Sequence, residues 1–187
     1  MIRNSLLELL RRYIPIDEEE RAYHQKIIKF VMDYSDCFER SLEVGHVTAS
    51  AWLLNKTANQ ALLMHHAKLN RWCQPGGHCD GNPNVIAVAL QEAQEESGIS
   101  QIIPVVKEIF DLDVHFIPAQ RGVQEHYHYD IRFLLQVISE EEAVGNNESK
   151  GLCWVSRDRK EIYSLTKSQS VLRMWEKWMS FQPCLEK

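Results

Sequence analysis

Apolar residues repeat with helical spacing in the first part of the chain. Residues 4–13 and 17–36 each carry such a pattern, and Pro15 separates the two segments. Asp17, three residues before Glu20, has the spacing of a capping box at the start of the second segment. These features predict two helices, and the second is expected to pack its apolar face on the rest of the molecule.

From residue 45 onward the pattern becomes typical of strands. The runs HVTASAWLLN and QALLMHHAKL flank the turn-like segment KTANQ, so we expect a β-hairpin there. The following segment, NRWCQPGGHCDGNPN, is predicted to be a loop. Further strands are predicted at 103–110, 112–117, 126–138 and 151–155, and a last helix at 167–180. Strands interleaved with a few helices predict a mixed α/β domain.

Residues 76–98, with the sequence GGHCDGNPNVIAVALQEAQEESG, contain a third predicted helix. Asn82 or Asn84 can cap its start, and Gly98 suits the left-handed position at its end. The apolar stripe expected to face the core is formed, at spacings of four and three, by Ile86, Leu90 and Ala93.

Three glutamates, Glu92, Glu95 and Glu96, share an arc about 100° wide on the other side of this helix. Like charges three and four residues apart repel by about 0.2–0.5 kcal/mol per pair, and carboxylates near a helix C-terminus oppose the helix dipole. The electrostatic energy of this arrangement is mildly unfavourable without a ligand, and a bound cation would make it favourable. A solvated helix face and a metal site are the two interpretations.

The glycines and glutamates of this stretch resemble the signature of the Nudix hydrolase family, G-x5-E-x7-R-E-U-x-E-E-x-G-U, where U is bulky and apolar. Counted from Gly77, the matching positions hold Glu92, Glu95, Glu96, Gly98 and Ile99 without a gap. The segments HVTASAWLL, LNRWCQPGGH and HYHYDIRFLL also resemble a bacterial subgroup of that family. The chain therefore resembles a bacterial-type Nudix hydrolase with an imperfect box at Gly77–Ile99.

Three positions depart from that signature. Pro83 stands at the first glutamate, Gln91 at the arginine and Ala93 at the bulky apolar position. In the family the arginine braces the glutamates, so a neutral amide leaves more uncompensated charge here. Asp80 or Asn82 could replace the missing acid from within the loop.

The resemblance implies an α/β/α sandwich with a mixed sheet over residues 41–187, preceded by an N-terminal helical extension over residues 1–40. It implies a metal-dependent hydrolase that cleaves the pyrophosphate bond of a nucleoside diphosphate linked to another group. The cofactor would be Mg²⁺ or Mn²⁺, and the partner a small nucleotide-derived diphosphate. The alternative is a catalytically weak or inactive Nudix-fold module that binds and senses a nucleotide.

By the same resemblance, Glu92, Glu95 and Glu96 are the catalytic and metal-binding residues, and the Gly77 carbonyl adds a further metal ligand. Magnesium prefers such oxygen ligands and bridges carboxylates to substrate phosphates. The general base is one of these glutamates or a residue in a distant loop, for which Glu148 is the candidate.

The predicted strand EHYHYDIRFLL carries a second polar group. Because side chains alternate along a strand, one face holds His126, His128, Asp130 and Arg132. These residues could bind substrate, form an ordinary polar sheet face, or bind a separate transition metal, since imidazole and carboxylate suit zinc or iron. In the motif loop, His78 and Asp80 are further candidates for contact with the substrate or the metal.

Composition narrows the classes of partner and the compartment. The chain has 187 residues, 44% of them hydrophobic, and a net charge of −5 without a basic run, which argues against duplex nucleic acid. We expect no membrane partner, because the sequence shows neither a long apolar span nor a signal peptide. The five scattered cysteines, which include Cys184, form no C-x-x-C pair and indicate reduced thiols in a cytoplasm. The N-terminal helices are expected to form a cover or a homodimer contact.

Overall fold

In the computed structural model, which describes residues 3–120 and 122–181, a mixed sheet lies between helices. The helices are α1 (Asn4–Arg12), α2 (Glu18–Asp33), α3 (Val85–Ser97), α4 (Arg159–Leu165) and α5 (Gln169–Ser180). The strands are β1 (Gly45–Leu54), β2 (Gln60–His66), β3 (Arg71–Cys73), β4 (Gly76–His78), β5 (Ile102–Pro104), β6 (Asp111–Ile117), β7 (His126–Val137) and β8 (Ser149–Ser156).

The centre of the sheet is the parallel pairing of β1 with β7. It runs from Gly45 beside Tyr127 to Leu54 beside Gln136. The other strand pairs are antiparallel: β4 and β2 pair with β1, β5 and β6 pair with β7, and β3 and β8 pair with β2. The predicted β1–β2 hairpin is confirmed at its tip, where Leu54 lies opposite Ala61.

Two expectations about strands need correction. The predicted strand at 103–110 is wrong beyond Pro104, because β5 pairs with β7 up to Leu135 and β6 resumes that pairing at Arg132. Val105 and Phe110 still donate backbone hydrogen bonds to β7, at Leu134 and Arg132, but too little of β7 lies between these positions to pair with residues 106–109, which loop out. The predicted loop NRWCQPGGHCDGNPN contains the two short strands β3 and β4.

Alternate residues of β1 supply two hydrophobic clusters. The first cluster joins β1 to α1, α2 and α3 through residues such as Leu6, Phe30, Ala49, Ala51, Val88 and Ala89. The second joins β1 to α4 and α5 through residues such as Trp52, Leu54, Ile162, Trp175 and Trp178. Helices thus pack on both faces of the sheet, which confirms the α/β/α sandwich. The domain boundary at residue 40 stays a prediction.

The third predicted helix is confirmed as α3. Asn84 caps its start by accepting a hydrogen bond from the Ala87 N–H at 3.3 Å, and Gly98 ends it with a left-handed φ of 73°. The predicted stripe is only partly correct. Ala93 is buried, but Ile86 and Leu90 are half-buried, and the buried face is completed by Val85, Val88, Ala89 and Glu96. The helix is therefore rotated so that one glutamate points inward.

The described cysteines, Cys37, Cys73, Cys79 and Cys153, are free thiols, and Cys184 lies outside the described residues. Within residues 3–120 and 122–181, no helix combines the length and the apolar composition that crossing a bilayer requires.

A buried ionic network ties the N-terminal helices to α5. Lys177 pairs with Glu20 of α2 and, at 2.8 Å, with Asp111 of β6. Arg173 pairs with Asp111 at 3.0 Å and with Glu19 at 3.3 Å. Glu20 is fully buried and Lys177 is its cation partner among the described residues, so removal of Lys177 would leave the charge of Glu20 uncompensated.

Lys177→Ala is expected to lower the free energy of unfolding by about 3–5 kcal/mol, because it leaves the buried Glu20 carboxylate without its cation and removes one of the three cations around Asp111. Urea denaturation measures this loss. The control is Lys29→Ala, which breaks the exposed pair with Asp33 at 2.6 Å and should leave stability nearly unchanged. Equal losses in both variants would contradict the structural role of Lys177.

Candidate functional site

The two glycines of β4 lie directly against the carboxylates of α3. The Gly76 N–H donates a hydrogen bond to Glu96 Oε2 at 2.8 Å. Gly77 faces the Glu92 carboxylate so closely that a Cβ at this position would overlap it. A side chain at residue 77 would therefore require the Glu92 carboxylate to move away from the strand. The site brings the predicted ligands Gly77, Glu92 and Glu96 together.

Burial makes two of these carboxylates costly to ionise. Glu96 is 4% exposed, and burial, opposed by the Gly76 hydrogen bond, raises the pKa of Glu96 to about 8. Burial, followed by the charges of Glu95 and Glu148, raises the pKa of Glu92 to about 7. A divalent cation among these oxygens would lower both pKa values, since an opposite charge favours the ionised form.

Glu95 differs from the other two glutamates because it is exposed on α3. Its Oε1 atom accepts a hydrogen bond at 2.8 Å from Nε2 of Gln91, the residue at the expected arginine position. The neutral amide thus braces one glutamate by a hydrogen bond without adding charge.

The loop after β4 is fixed by an ion pair that the sequence did not indicate. Arg40 donates two hydrogen bonds to the Asp80 carboxylate, each 2.5 Å long, and these hydrogen bonds lower the pKa of Asp80. Asn82 Oδ1 accepts from the Asn84 N–H at 3.0 Å and so supports the start of α3. Arg40 precedes β1 by a few residues, and no local pattern marks it as a partner of a residue 40 positions later.

Glu148 lies in the loop before β8, on the same side of the molecule as the glutamates. The loop is held by the Ala67 N–H, which donates to the Glu148 carbonyl at 2.7 Å, and by Asn146, which donates to the Glu95 carbonyl at 3.2 Å. The Glu148 side chain is exposed, and its charge contributes to the raised pKa of Glu92 and of Glu96.

Asp130 and Arg132 are engaged inside the protein. Asp130 accepts hydrogen bonds from Thr48 at 2.9 Å, from Ser50 at 2.8 Å and from Arg132 at 2.7 Å. Arg132, which is 2% exposed, also pairs with Asp111 at 2.9 Å and with Asp113 at 3.2 Å. These two residues join β1, β6 and β7, and their partners account for their polar atoms.

The other predicted residues of this strand face, His126 and His128, belong to a group of five imidazoles. This histidine cluster consists of His46, His78, His115, His126 and His128, whose neighbouring ring centroids lie between 4.8 and 5.3 Å apart. Sequence reasoning did not include His46 or His115. In β1, the polar residues His46, Thr48 and Ser50 occupy alternate positions, which indicates a polar strand face. Only the pairing of β1 with β7 shows that this face lies beside the histidines of β7.

Comparison with known proteins places this site in a recognised domain. The family model of the NUDIX domain matches residues 44–175. A search of the curated proteins gives no match.

Solved structures share the fold at low sequence identity. A C. elegans Ap4A hydrolase is 16% identical with a TM-score of 0.57, over 72% of this chain and 96% of the other. A MutT protein from Methanosarcina mazei Go1 is 17% identical with a TM-score of 0.55, over 74% and 95%. The E. coli dihydroneopterin triphosphate pyrophosphohydrolase is 17% identical with a TM-score of 0.53, over 70% and 92%.

The raised pKa values predict how the stability of the metal-free protein depends on pH. A carboxyl group whose pKa rises from 4.5 to about 8 on folding binds more protons in the folded state between these values. With respect to Glu96, stability should therefore be highest at and below about pH 4.5 and fall as the pH rises towards 8. Thermal unfolding with a chelator present measures this slope.

Glu96→Gln should flatten the slope because the neutral amide cannot ionise. Glu95→Gln removes an exposed charge from the same turn and should keep most of the slope. An unchanged slope in Glu96→Gln would show that the buried carboxyl is not its source.

Proposed function

Because the chain belongs to the Nudix family, we propose that it is a metal-dependent hydrolase that cleaves the pyrophosphate bond of a nucleoside diphosphate linked to another group. The observation that carries this proposal is the placement of Glu92 and Glu96. Both carboxylates are held against the glycines of β4, and neither forms an ion pair with a cation among the described residues. Two carboxylates placed in this way without a cation destabilise the fold, and a bound cation would offset that cost.

The residues fit Mg²⁺ or Mn²⁺. Glu92, Glu95, Glu96 and the Gly77 carbonyl would supply oxygen ligands, which these hard cations prefer. The metal, when bound, supplies charge neutralisation for the diphosphate and activation of the attacking water. Gln91 would hold Glu95 in place through its existing hydrogen bond.

Arg40 is the proposed phosphate contact. Its side chain is 59% exposed and is paired with Asp80 in the loop after β4. The planar set of donors suits phosphate oxygens. The charge of Arg40 also partly opposes the rise in the pKa of Glu92 that burial causes, so it acts on the same site that the diphosphate would enter. Asp80 positions this side chain through both of its carboxylate oxygens.

Glu148 is the proposed general base. Its exposed carboxylate lies in a loop tied to the end of α3, and its charge is felt by both buried glutamates. A carboxylate in this position can accept the proton of the attacking water.

The deciding experiment is a substrate panel with Mg²⁺ present or absent. Nucleoside triphosphates, nucleotide sugars, dinucleoside polyphosphates and dinucleotide cofactors share the pyrophosphate bond. We expect metal-dependent release of phosphate or a nucleoside monophosphate from at least one of them. Tight binding without turnover across the panel would instead support a nucleotide sensor.

Glu96→Gln should lower kcat by about 100-fold or more, the size of effect seen when one preorganised electrostatic contact is lost. Steady-state hydrolysis of the best panel substrate measures it, and circular dichroism checks the fold. Glu176→Gln, an exposed change on α5, is the matched control and should keep full activity. Activity within about threefold of the parent in Glu96→Gln would contradict the proposed site.

Gln91→Arg restores the family's residue and should keep turnover or raise it modestly. The guanidinium can replace the amide's hydrogen bond to Glu95 and add a compensating charge. Kinetic comparison with the parent measures the effect. A loss of kcat greater than about tenfold would show that the neutral amide has a function of its own.

A further inference from the structure

Three histidines from three strands meet in the histidine cluster at metal-ligand spacing. One ligand atom from each of His46, His78 and His128 lies within 4.8 Å of the other two. Tetrahedral zinc with Zn–N bonds of about 2.0–2.1 Å needs nitrogens about 3.3 Å apart. Small side-chain rotations would therefore bring these three rings to a shared ion.

Of these three histidines, His46 is the one whose burial is not explained by hydrogen bonds to the rest of the described protein. Its side chain is 3% exposed, and neither ring nitrogen has a hydrogen-bond partner among the described residues. A buried polar group without a partner costs free energy, about 1–3 kcal/mol. The ring nitrogens of His46 are thus free of donors and acceptors, and an imidazole nitrogen in this state can bind a metal ion through its lone pair.

The tautomer of His128 follows from its neighbours. His126 Nδ1 lies 2.8 Å from the Gln124 carbonyl, which can only accept, so this nitrogen carries the proton. His126 Nε2 is then an acceptor, and it lies 3.2 Å from His128 Nε2, which must donate. The remaining nitrogen of His128, Nδ1, therefore keeps its lone pair. Metal-binding histidines are commonly fixed in this way by a partner on the other ring nitrogen.

Carboxylates near the cluster are already engaged. Asp113 contacts His115 at 2.9 Å and also pairs with Arg132 and Arg173. Asp130 is held by Thr48, Ser50 and Arg132. The available ligands are thus neutral imidazoles, which differ from the His-x-His-x-Asp set that the strand alone would indicate.

We propose that His46, His78 and His128 bind a first-row transition-metal ion, Zn²⁺ in the first place, with one coordination position open to water or a ligand. Imidazole nitrogens suit zinc, whereas magnesium prefers oxygen. Three protein ligands and an open position are typical of reactive rather than purely structural zinc sites. His126 is a positioning residue that acts through His128.

This site is separate from the glutamate site and does not depend on the proposed function. Gly77 and His78 are consecutive in β4, so they face opposite sides of the strand. Gly77 faces Glu92, and His78 faces His46, with ring centroids 4.9 Å apart. The protein would therefore hold two chemically different cations on the two faces of one short strand.

The test uses untagged full-length protein, freed of metal by a chelator and kept in excess Mg²⁺ to fill the oxygen site. Calorimetric titration with Zn²⁺ should give one equivalent bound, and Co²⁺ should give the visible absorption of a tetrahedral site. His78→Ala, at a half-buried position, should weaken Zn²⁺ binding by at least about 100-fold. His126→Phe should weaken it by about 10- to 100-fold without removing a ligand.

Matched controls separate this site from other places where metal could bind. His65→Ala removes a histidine that stacks on Trp72, outside the cluster, and should keep the parent affinity. Glu92→Gln should also keep Zn²⁺ affinity while affecting any Mg²⁺-dependent hydrolysis. Zn²⁺ affinity that is unchanged in His78→Ala, or lost in Glu92→Gln instead, would overturn the proposal. Because binding is measured directly, the result stands whether or not hydrolysis is found.

Discussion

The parallel pairing of β1 with β7 is the constraint on which the rest of the molecule depends. Its register places His46 beside His128 and Thr48 beside Asp130, so polar residues from distant parts of the chain share one sheet face. The opposite face receives the apolar residues that pack under α3. A shift of one residue in this pairing would exchange the two faces, since side chains alternate with a period of two. Core and site are therefore set by the same register.

Ionic groups on the polar face show how a sheet can bury charge at its centre. Asp111, Asp130, Arg132 and Arg173 are all buried and compensate one another. Pairs of this kind contribute little net stability compared with apolar residues, but losing one member is costly. Because of this network, a substitution of one of its members beneath the histidine cluster would weaken the strand pairing. The network forms a rigid support for the histidine cluster, whose neutral ring nitrogens remain available as ligands.

Local patterns in the sequence were sufficient for α1, α2, α3 and α5, most strands and the glutamate box, because helical periodicity, caps and fixed spacing are local properties, but they did not predict α4. They were insufficient where partners are distant. Glu96 points inward to accept a hydrogen bond from the Gly76 N–H, 20 positions away, and the pairing of Arg40 with Asp80 spans 40 positions. His46 became interpretable only once β4 and β7 were known to flank it. Non-local pairing, rather than residue type, limited the prediction.

The contact between Glu20 and Lys177 also constrains the order in which parts of the chain can fold during synthesis. These residues are 157 positions apart, so at about 5–20 residues per second the ribosome needs about 8–30 s to supply the lysine after the glutamate. During that interval α2 cannot bury Glu20 without leaving its charge unpaired. Charge-compensated docking of α2 on the sheet therefore has to wait until α5 has been synthesised.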